Sequence, residues 1–219
     1  MELLDFARGP ALQFAIAVFV LGTLWRLVGV LMLPRSPDLS PAREGAPPAW
    51  LGALRTIAGR MWPRKEFVQA TLMLTLSSYV FHIGLAVVVF GLAPHILFIR
   101  KLTGLSWPGL PSNVVLGVGV ITLAALCAVL ARRITHPVMR LLSHAGDYLS
   151  WVLTALPVVT GLLATMHLGA RYETLYAVHV LSICALLVWF PFGKLMHAFW
   201  FAFSRGATGA RFSHRGVNI

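Results

Sequence analysis

Apolar residues dominate five long stretches of the chain, and polar or proline-rich segments separate them. A helix needs about 20 consecutive apolar residues to cross the hydrocarbon core of a bilayer. The pattern therefore predicts an all-α, five-helix transmembrane bundle. To within a few residues, the predicted spans are 10–33, 67–93, 113–132, 147–168 and 174–203.

Composition supports this class of protein. Mean hydropathy is +0.80, hydrophobic residues make up 58% of the chain and charged residues only 11%. A typical soluble domain has about 25% charged residues, so a soluble fold is excluded. The two cysteines, Cys127 and Cys184, lie singly in apolar stretches, which predicts neither a disulfide framework nor an iron–sulfur cluster.

The net charge of +11 has a topological explanation. Twelve Lys and Arg residues fall on one side of the predicted bundle: Arg35, Arg43, Arg55, Arg60, Arg64, Lys65, Arg132, Arg133, Arg140, Arg205, Arg211 and Arg215. The other side has Arg8, Arg100, Lys101 and Arg171. Cytoplasmic loops carry the excess of basic residues, so we expect the C-terminus in the cytoplasm and the N-terminus outside. We therefore expect a multi-pass protein of a bacterial or archaeal cytoplasmic (inner) membrane, with lipid rather than nucleic acid around it.

Two segments on the basic side have open interpretations. Residues 1–203 form the predicted membrane domain, which includes the cytoplasmic loop 34–66, and residues 204–219 form a basic tail. Within the loop, 49–62 is either a short interfacial helix or irregular. The tail's charge reflects either topology alone or, as we favour, contact with an acidic partner.

The fifth stretch carries two histidines, His179 and His197, 18 residues apart. At about 100° per residue, this spacing is five helical turns, so both imidazoles would face one way and lie roughly 27 Å apart. That distance approaches the thickness of the hydrocarbon core. One helix would then present a histidine near each membrane surface, as two stacked haems require.

A second pair of histidines is available on the second span. Since that span runs antiparallel to the fifth, His82 pairs with His197 toward the cytoplasm and His95 with His179 toward the outside. Electron-transfer b haems commonly have two axial imidazoles. On one ideal helix His82 and His95 would point about 140° apart, but Pro94 can end or kink that helix. His167 is the alternative outer ligand, and a single-haem protein is the remaining alternative.

Other residues have a functional and an ordinary interpretation. Gly84 and Gly91 would make room for a flat macrocycle, or serve helix packing. Arg26, Arg132 and Arg133 would pair with the propionates of the inner haem, or determine topology. His144 is expected to cap a helix or contact a propionate, whereas His136 and His214 are expected to be surface residues.

Four motifs, in order along the chain, resemble the gamma subunit of respiratory nitrate reductase, a five-helix dihaem cytochrome b. Its superfamily includes the membrane cytochromes linked to sulfite reduction and to heterodisulfide reductase. The motifs are LGTLWR at 21–26, FHIG at 81–84, ARRITHPVMR at 131–140 followed by AGD at 145–147, and FPFGKLMH at 190–197. In the nitrate reductase subunit the second histidine of span two follows the first by ten residues, and that position is Leu92 here. The loop between spans four and five is also shorter.

The resemblance implies an electron-transfer subunit of an oxidoreductase complex. It would oxidise menaquinol or ubiquinol near the outer face and pass electrons through two b haems to a cytoplasmic iron–sulfur subunit. Terminal catalysis would belong to a further reductase subunit. Candidates for the quinol site are His95, Arg100, Lys101 and Glu173, although Glu173 is also a suitable helix-start carboxylate. The alternatives are a single-haem electron-transfer subunit and a haem-free anchor or proton relay.

Overall fold

A computed structural model describes residues 2–34 and 38–217, and within them there are helices and loops but no strand. Five helices are long and apolar enough to cross a membrane, which confirms the all-α, five-span prediction. They are Leu3–Leu31 (α1), Lys65–Gly91, Ser112–Thr135 (α5), Ala145–Met166 (α7) and Tyr172–Trp189 (α8). The second span consists of a 3-10 turn, Lys65–Phe67, and the α-helix Val68–Gly91 (α3). Four shorter helices are Ala49–Gly59 (α2), Ala93–Thr103 (α4), Pro137–Leu142 (α6) and His197–His214 (α9).

The first span begins earlier than predicted and carries a local distortion. A π-helical turn over Ala7–Ala11 contains Gly9 and Pro10. Proline has no amide hydrogen to donate, so the regular α-helical ladder is interrupted there. Ala7, the first residue of this turn, and Ala15, which follows the turn, are fully buried in a cluster with Ala177 of α8.

The spans pack in the order α3, α5, α7, α8 and α1. Small residues allow close contact, and a Cβ added to Gly84 of α3 would lie 2.1 Å from Thr122 Oγ1 of α5. Large apolar side chains point outward instead, including Leu21 and Ile83, which are 67% and 59% exposed. Such a surface suits contact with lipid, where close packing of small residues drives helix association.

The fifth predicted span is not one helix, so the geometric argument for His179 and His197 was wrong. α8 ends at Trp189, and a turn, Phe190 to Gly193, separates it from a 3-10 turn and α9. Pro191 is fully buried, and Gly193 is extended, with φ −97° and ψ −179°. Pro191 has no amide hydrogen to donate and Gly193 is extended, so the helical hydrogen bonds end in this turn. His197 therefore begins a new helix, and helical phase does not relate it to His179.

The loop and tail on the basic side form a helix pair. Segment 49–62 contains α2, so the helical alternative is correct, and α2 packs extensively against α9. A Cβ added to Gly209 would lie 2.4 Å from the Gly52 carbonyl oxygen, so the backbones cross closely. α9 is continuous through the predicted boundary at 203/204. One face of the tail is thus occupied by the chain itself.

Candidate cofactor site

Two histidine pairs lie between α3–α4 and α8–α9. The first consists of His82, in the middle of α3, and His197, the first residue of α9, with ring centres 6.1 Å apart and ring planes at 88°. α3 begins on the basic side of the bundle and carries His82. α8 ends on that same side, and His197 follows its end. The structure thus brings together the histidines predicted for the cytoplasmic end.

The second pair consists of His95 and His179, whose ring centres are also 6.1 Å apart and whose planes differ by 23°. α3 ends at Gly91, Leu92 is extended, and α4 begins at Ala93 with Pro94 in its first turn. Because of this break, His82 and His95 are not on one helix, and the difference of about 140° in direction expected for a continuous helix does not apply. The expectation that Pro94 would redirect the chain at this point is confirmed.

All four imidazoles use the same ring nitrogen for a hydrogen bond. The Nδ1 atoms of His82, His95 and His197 lie 2.7, 3.0 and 2.9 Å from the carbonyl oxygens of Ser78, Val88 and Lys194. His179 Nδ1 lies 3.1 Å from Thr160 Oγ1, which donates its own hydrogen to the Leu156 carbonyl. A carbonyl oxygen only accepts, so Nδ1 carries the hydrogen. In the neutral rings, Nε2 is left with its lone pair free.

The ring spacing has a direct chemical meaning. A metal–imidazole bond is about 2 Å long, and the ring centre lies roughly 1.2 Å beyond the nitrogen, so two rings on opposite sides of one metal have centres about 6 Å apart. Both pairs have this spacing. The spacing of each pair therefore matches that of two imidazoles bound to one metal. Hydrogen bonds to the outer ring nitrogen are the usual way of fixing such ligands.

The rings of the first pair, His82 and His197, lie at an open surface of the bundle. Close packing joins α3 to α5 and α8 to α7, whereas α3 and α8 share no extensive contact, and the histidine pairs lie in the gap between them. His82 and His197 remain exposed at that gap. An imidazole within an apolar span is costly in lipid unless it has a partner. Their exposure is therefore consistent with a cofactor that covers both rings.

A narrow slot of about 50 Å³ adjoins the second pair. Its lining includes His95, His179, Gly119, Pro157 and Gly161. Gly161 permits the close approach of His179, since an added Cβ would lie 3.0 Å from Cε1 of that ring. The slot has room for the edge of a macrocycle, not for a whole one.

The predicted role of Gly84 and Gly91 in making room for a macrocycle was wrong. An added Cβ at Gly84 would meet Thr122 of α5, and one at Gly91 would meet Leu110. Gly84 is two residues from His82, which is about 200° around a helix, so the two point to opposite sides. Both glycines serve packing.

The predicted propionate partners have different surroundings. Arg133 donates to Ser143 Oγ at 2.8 Å and lies 3.8 Å from the Asp147 carboxylate. Arg132 has a buried Nε with no hydrogen-bond partner among the described residues. Arg26 is exposed near the end of α1. Arg132 is thus the one with an unused donor inside the bundle.

Asp147 lies at the centre of a polar cluster at the start of α7. Its side chain is 5% exposed, and Lys194 Nζ lies 2.7 Å from one carboxylate oxygen and 2.9 Å from the other. The His144 amide also donates to it at 3.0 Å, and the Asp147 amide donates to the His144 carbonyl at 2.9 Å, so His144 is the N-cap residue of α7. The prediction that His144 caps a helix is confirmed.

The remaining candidate residues belong to neither ring pair. His167 ends α7 in the left-handed conformation, φ 56°, and stacks on Tyr172 at 5.1 Å instead of approaching His179. His214 lies 2.9 Å from the Ser40 carbonyl through Nε2, and His136 is partly buried. Glu173 is in the first turn of α8, 3.7 Å from Arg171. Arg100 and Lys101 are in the last turn of α4.

Sequence reasoning missed the groups that hold the imidazoles. Three Nδ1 partners are backbone carbonyls. Every residue has one, so the sequence does not indicate which carbonyl binds an imidazole. Thr160 is a side-chain partner, but its proximity to His179 depends on how α7 and α8 pack. The Lys194 side chain binds Asp147, which belongs to a different predicted span. No group of three or more His, Cys, Asp or Glu side chains suited to a metal occurs within 2–34 and 38–217.

The fold defines a multi-pass, all-α membrane protein with paired histidines between its spans. No protein-family model matches the chain. The chain is 30% identical over 212 residues to a protein of Nitratidesulfovibrio vulgaris strain Hildenborough, and the alignment covers 93% of this chain and 91% of that protein. The chain belongs to the same family as that protein, whose name, "Protein", assigns it no activity.

Proposed function

We propose that the chain is a dihaem membrane cytochrome b that oxidises quinol and carries electrons across the bilayer. The observation that supports this most strongly is the pairing of four histidines. His82 with His197 and His95 with His179 each have ring centres 6.1 Å apart, and the Nδ1 atom of each ring lies within hydrogen-bond distance of an acceptor. Since a porphyrin supplies four equatorial nitrogens, a pair of imidazoles is all that the protein must add.

A b haem supplies reversible one-electron chemistry when bound. The chain's own residues bind and orient it: each imidazole presents Nε2, and the hydrogen bond at Nδ1 fixes the ring. With both imidazoles of a pair bound to the iron, neither site would offer a position for substrate. The two pairs lie at opposite ends of one gap, which suits transfer from one side of the membrane to the other.

On the side of His95 and His179, we propose oxidation of a menaquinol or ubiquinol. Quinol loses two protons and two electrons to become quinone, and the electrons leave one at a time. His95, Arg100, Lys101 and Glu173 are the candidates for contact with it. Glu173 is exposed and paired with Arg171, which favours a helix-start role over proton acceptance.

On the basic side, we propose that electrons pass to an iron–sulfur subunit of a respiratory reductase complex, as the resemblance to the nitrate reductase gamma subunit implies. Twelve basic residues on that side are suited to an acidic partner. They also fit a cytoplasmic location for this side in a bacterial or archaeal inner membrane. The terminal acceptor would be reduced on a further subunit.

The deciding experiment is a dithionite-minus-oxidised spectrum of the purified chain, with haem quantified per chain as pyridine haemochrome. We expect two b haems, and one after His179→Ala. His214→Ala is the matched control, because its imidazole bonds the Ser40 carbonyl away from both pairs, and it should retain two. A wild-type chain with one haem would support the single-haem alternative. A chain with none would support a haem-free anchor or proton relay.

Reduction by a quinol analogue then tests the substrate. Anaerobic addition of a menaquinol or ubiquinol analogue should reduce both haems of the wild-type chain. A dihaem protein that neither analogue reduces would retain the electron-transfer role and exclude quinol as its donor.

A further inference from the structure

The junction between α8 and α9 determines where the His197 ring lies. α8 ends at Trp189, and His197 follows only after a turn and a 3-10 turn. In a continuous helix, the backbone would fix the position of His197 relative to the rest of α8. Here that position depends on what holds the junction.

Two contacts from α7 hold it. Trp189 Nε1 donates to Ser150 Oγ at 2.8 Å, and Lys194 Nζ contacts both oxygens of Asp147, at 2.7 and 2.9 Å. Asp147 and Ser150 are three residues apart, so they lie on one face of α7. Buried Met196 completes the junction on the protein side.

Lys194 makes one contact through its side chain and another through its backbone. Its side chain binds Asp147, and its backbone carbonyl accepts the Nδ1 hydrogen of His197 at 2.9 Å. The Lys194 side chain is 68% exposed while that of Asp147 is 5% exposed, so the carboxylate is the fixed partner. The His144 amide and Arg133 hold Asp147 from the α7 side.

We infer that Asp147 is a positioning residue for His197: by binding the Lys194 side chain, it fixes the carbonyl that orients the imidazole toward His82. This inference rests on the proposed function, because its consequence is the stability of haem at the His82/His197 pair. Without the ion pair, the 3-10 turn loses its side-chain contact with the start of α7, and only the backbone of the turn then holds that carbonyl. Loss of a group that orients a ligand typically weakens metal binding about 10–100-fold.

Lys194→Met isolates this connection, since it leaves the bonds from Asp147 to the His144 amide and Arg133 intact. Asp147→Asn tests the other partner. Lys194→Arg keeps the charge and should behave nearly as the wild type. Asp38→Asn is the matched control: hydrogen bonds from Ser40 and then Arg215 lower the pKa of Asp38 to about 2, so this variant also removes a carboxylate charge at neutral pH.

The full chain is purified in detergent, and haem loss is followed by transfer to excess apomyoglobin, with low-spin ferric EPR recorded in parallel. In Lys194→Met and Asp147→Asn, we expect one of the two haems to leave on the order of 10–100-fold faster, with loss of one EPR signal only. Wild-type kinetics and spectra in Lys194→Met would overturn the inference. Equal acceleration for both haems would also overturn it, because that indicates general destabilisation. A wild-type chain without b haem would overturn the proposed function itself.

Discussion

The imidazole rings of His95 and His179 lie 6.1 Å apart and within 23° of parallel, although their helices are not neighbours in the packing order. The two rings approach from opposite walls of a gap, each held from behind through Nδ1. The pair of His82 and His197 has the same spacing, although its rings belong to other helices. Because two independent pairs have the same ring spacing, chance contact is a poor explanation for either pair.

The pairing predicts a specific pattern in double variants. His82→Ala and His197→Ala should each remove the same haem, so the double variant should lose one haem and no more. His82→Ala combined with His179→Ala should lose both. Pyridine haemochrome quantification measures this directly, because residues of one site are coupled whereas those of separate sites add.

Retention of one haem by the His82→Ala/His179→Ala variant would contradict the assignment of pairs. His136→Ala is a further control, since His136 lies on the basic side and belongs to neither pair. It should leave two haems in place.

The ring angles predict two distinguishable haems. The angle between axial imidazole planes sets the splitting of the iron d orbitals and hence the g-anisotropy of low-spin ferric haem. The planes of His82 and His197 differ by 88°, against 23° for the other pair. We expect one highly anisotropic signal, lost in His197→Ala, and one ordinary rhombic signal, lost in His179→Ala. Two identical signals would contradict this geometry.

The pairs were predictable from sequence, whereas the path of the chain was not. Five apolar stretches predict the number of spans. Successive spans cross the membrane in opposite directions, which predicts which histidines lie at the same depth in it. The break at Pro191 and Gly193 lies inside an apolar run, where a continuous helical period was assumed. The correct pairs were therefore reached although His197 belongs to a different helix from His179.

The basic side was the least predictable part. α2 and α9 are about 150 residues apart in sequence, and neither segment indicates the other as its partner. Their contact depends on backbone approach at Gly52 and Gly209, which no local pattern reveals. Likewise, Asp147 and Lys194 are in different predicted spans, and neither charge marks the other as its partner.

Thr160 gives a test of the hydrogen bond behind His179. Thr160→Val keeps the shape but removes the acceptor 3.1 Å from Nδ1, so the haem held by His179 should bind about 10–100-fold more weakly. Thr160→Ser should restore wild-type binding, because it keeps the hydroxyl. The rate of haem transfer to apomyoglobin measures the effect.

Thr154→Val is the matched control for that experiment. Its hydroxyl donates to the Ser150 carbonyl within the same helix, at 2.7 Å, as other threonines in α7 do. Haem binding should be unchanged in this variant. If Thr154→Val weakens haem binding as much as Thr160→Val, the effect reflects α7 as a whole and not the His179 contact.

The close crossing of α2 and α9 predicts that Gly209 does not tolerate a side chain. In Gly209→Val, the first added carbon would lie 2.4 Å from both the Gly52 carbonyl oxygen and Thr56 Oγ1. Overpacking of this kind costs about 1–3 kcal/mol, which corresponds to roughly 5–150-fold faster hydrogen exchange when local opening controls it. We expect this acceleration in α2 and in α9 after residue 204, with both haems retained.

Gly206→Ala is the control on the same helix, because its Cβ would make ordinary contact with Ile57 at 3.5 Å. Unchanged exchange in Gly209→Val would mean that α9 does not dock on α2 in the membrane-embedded protein, and the tail would then be free for a partner along its whole surface.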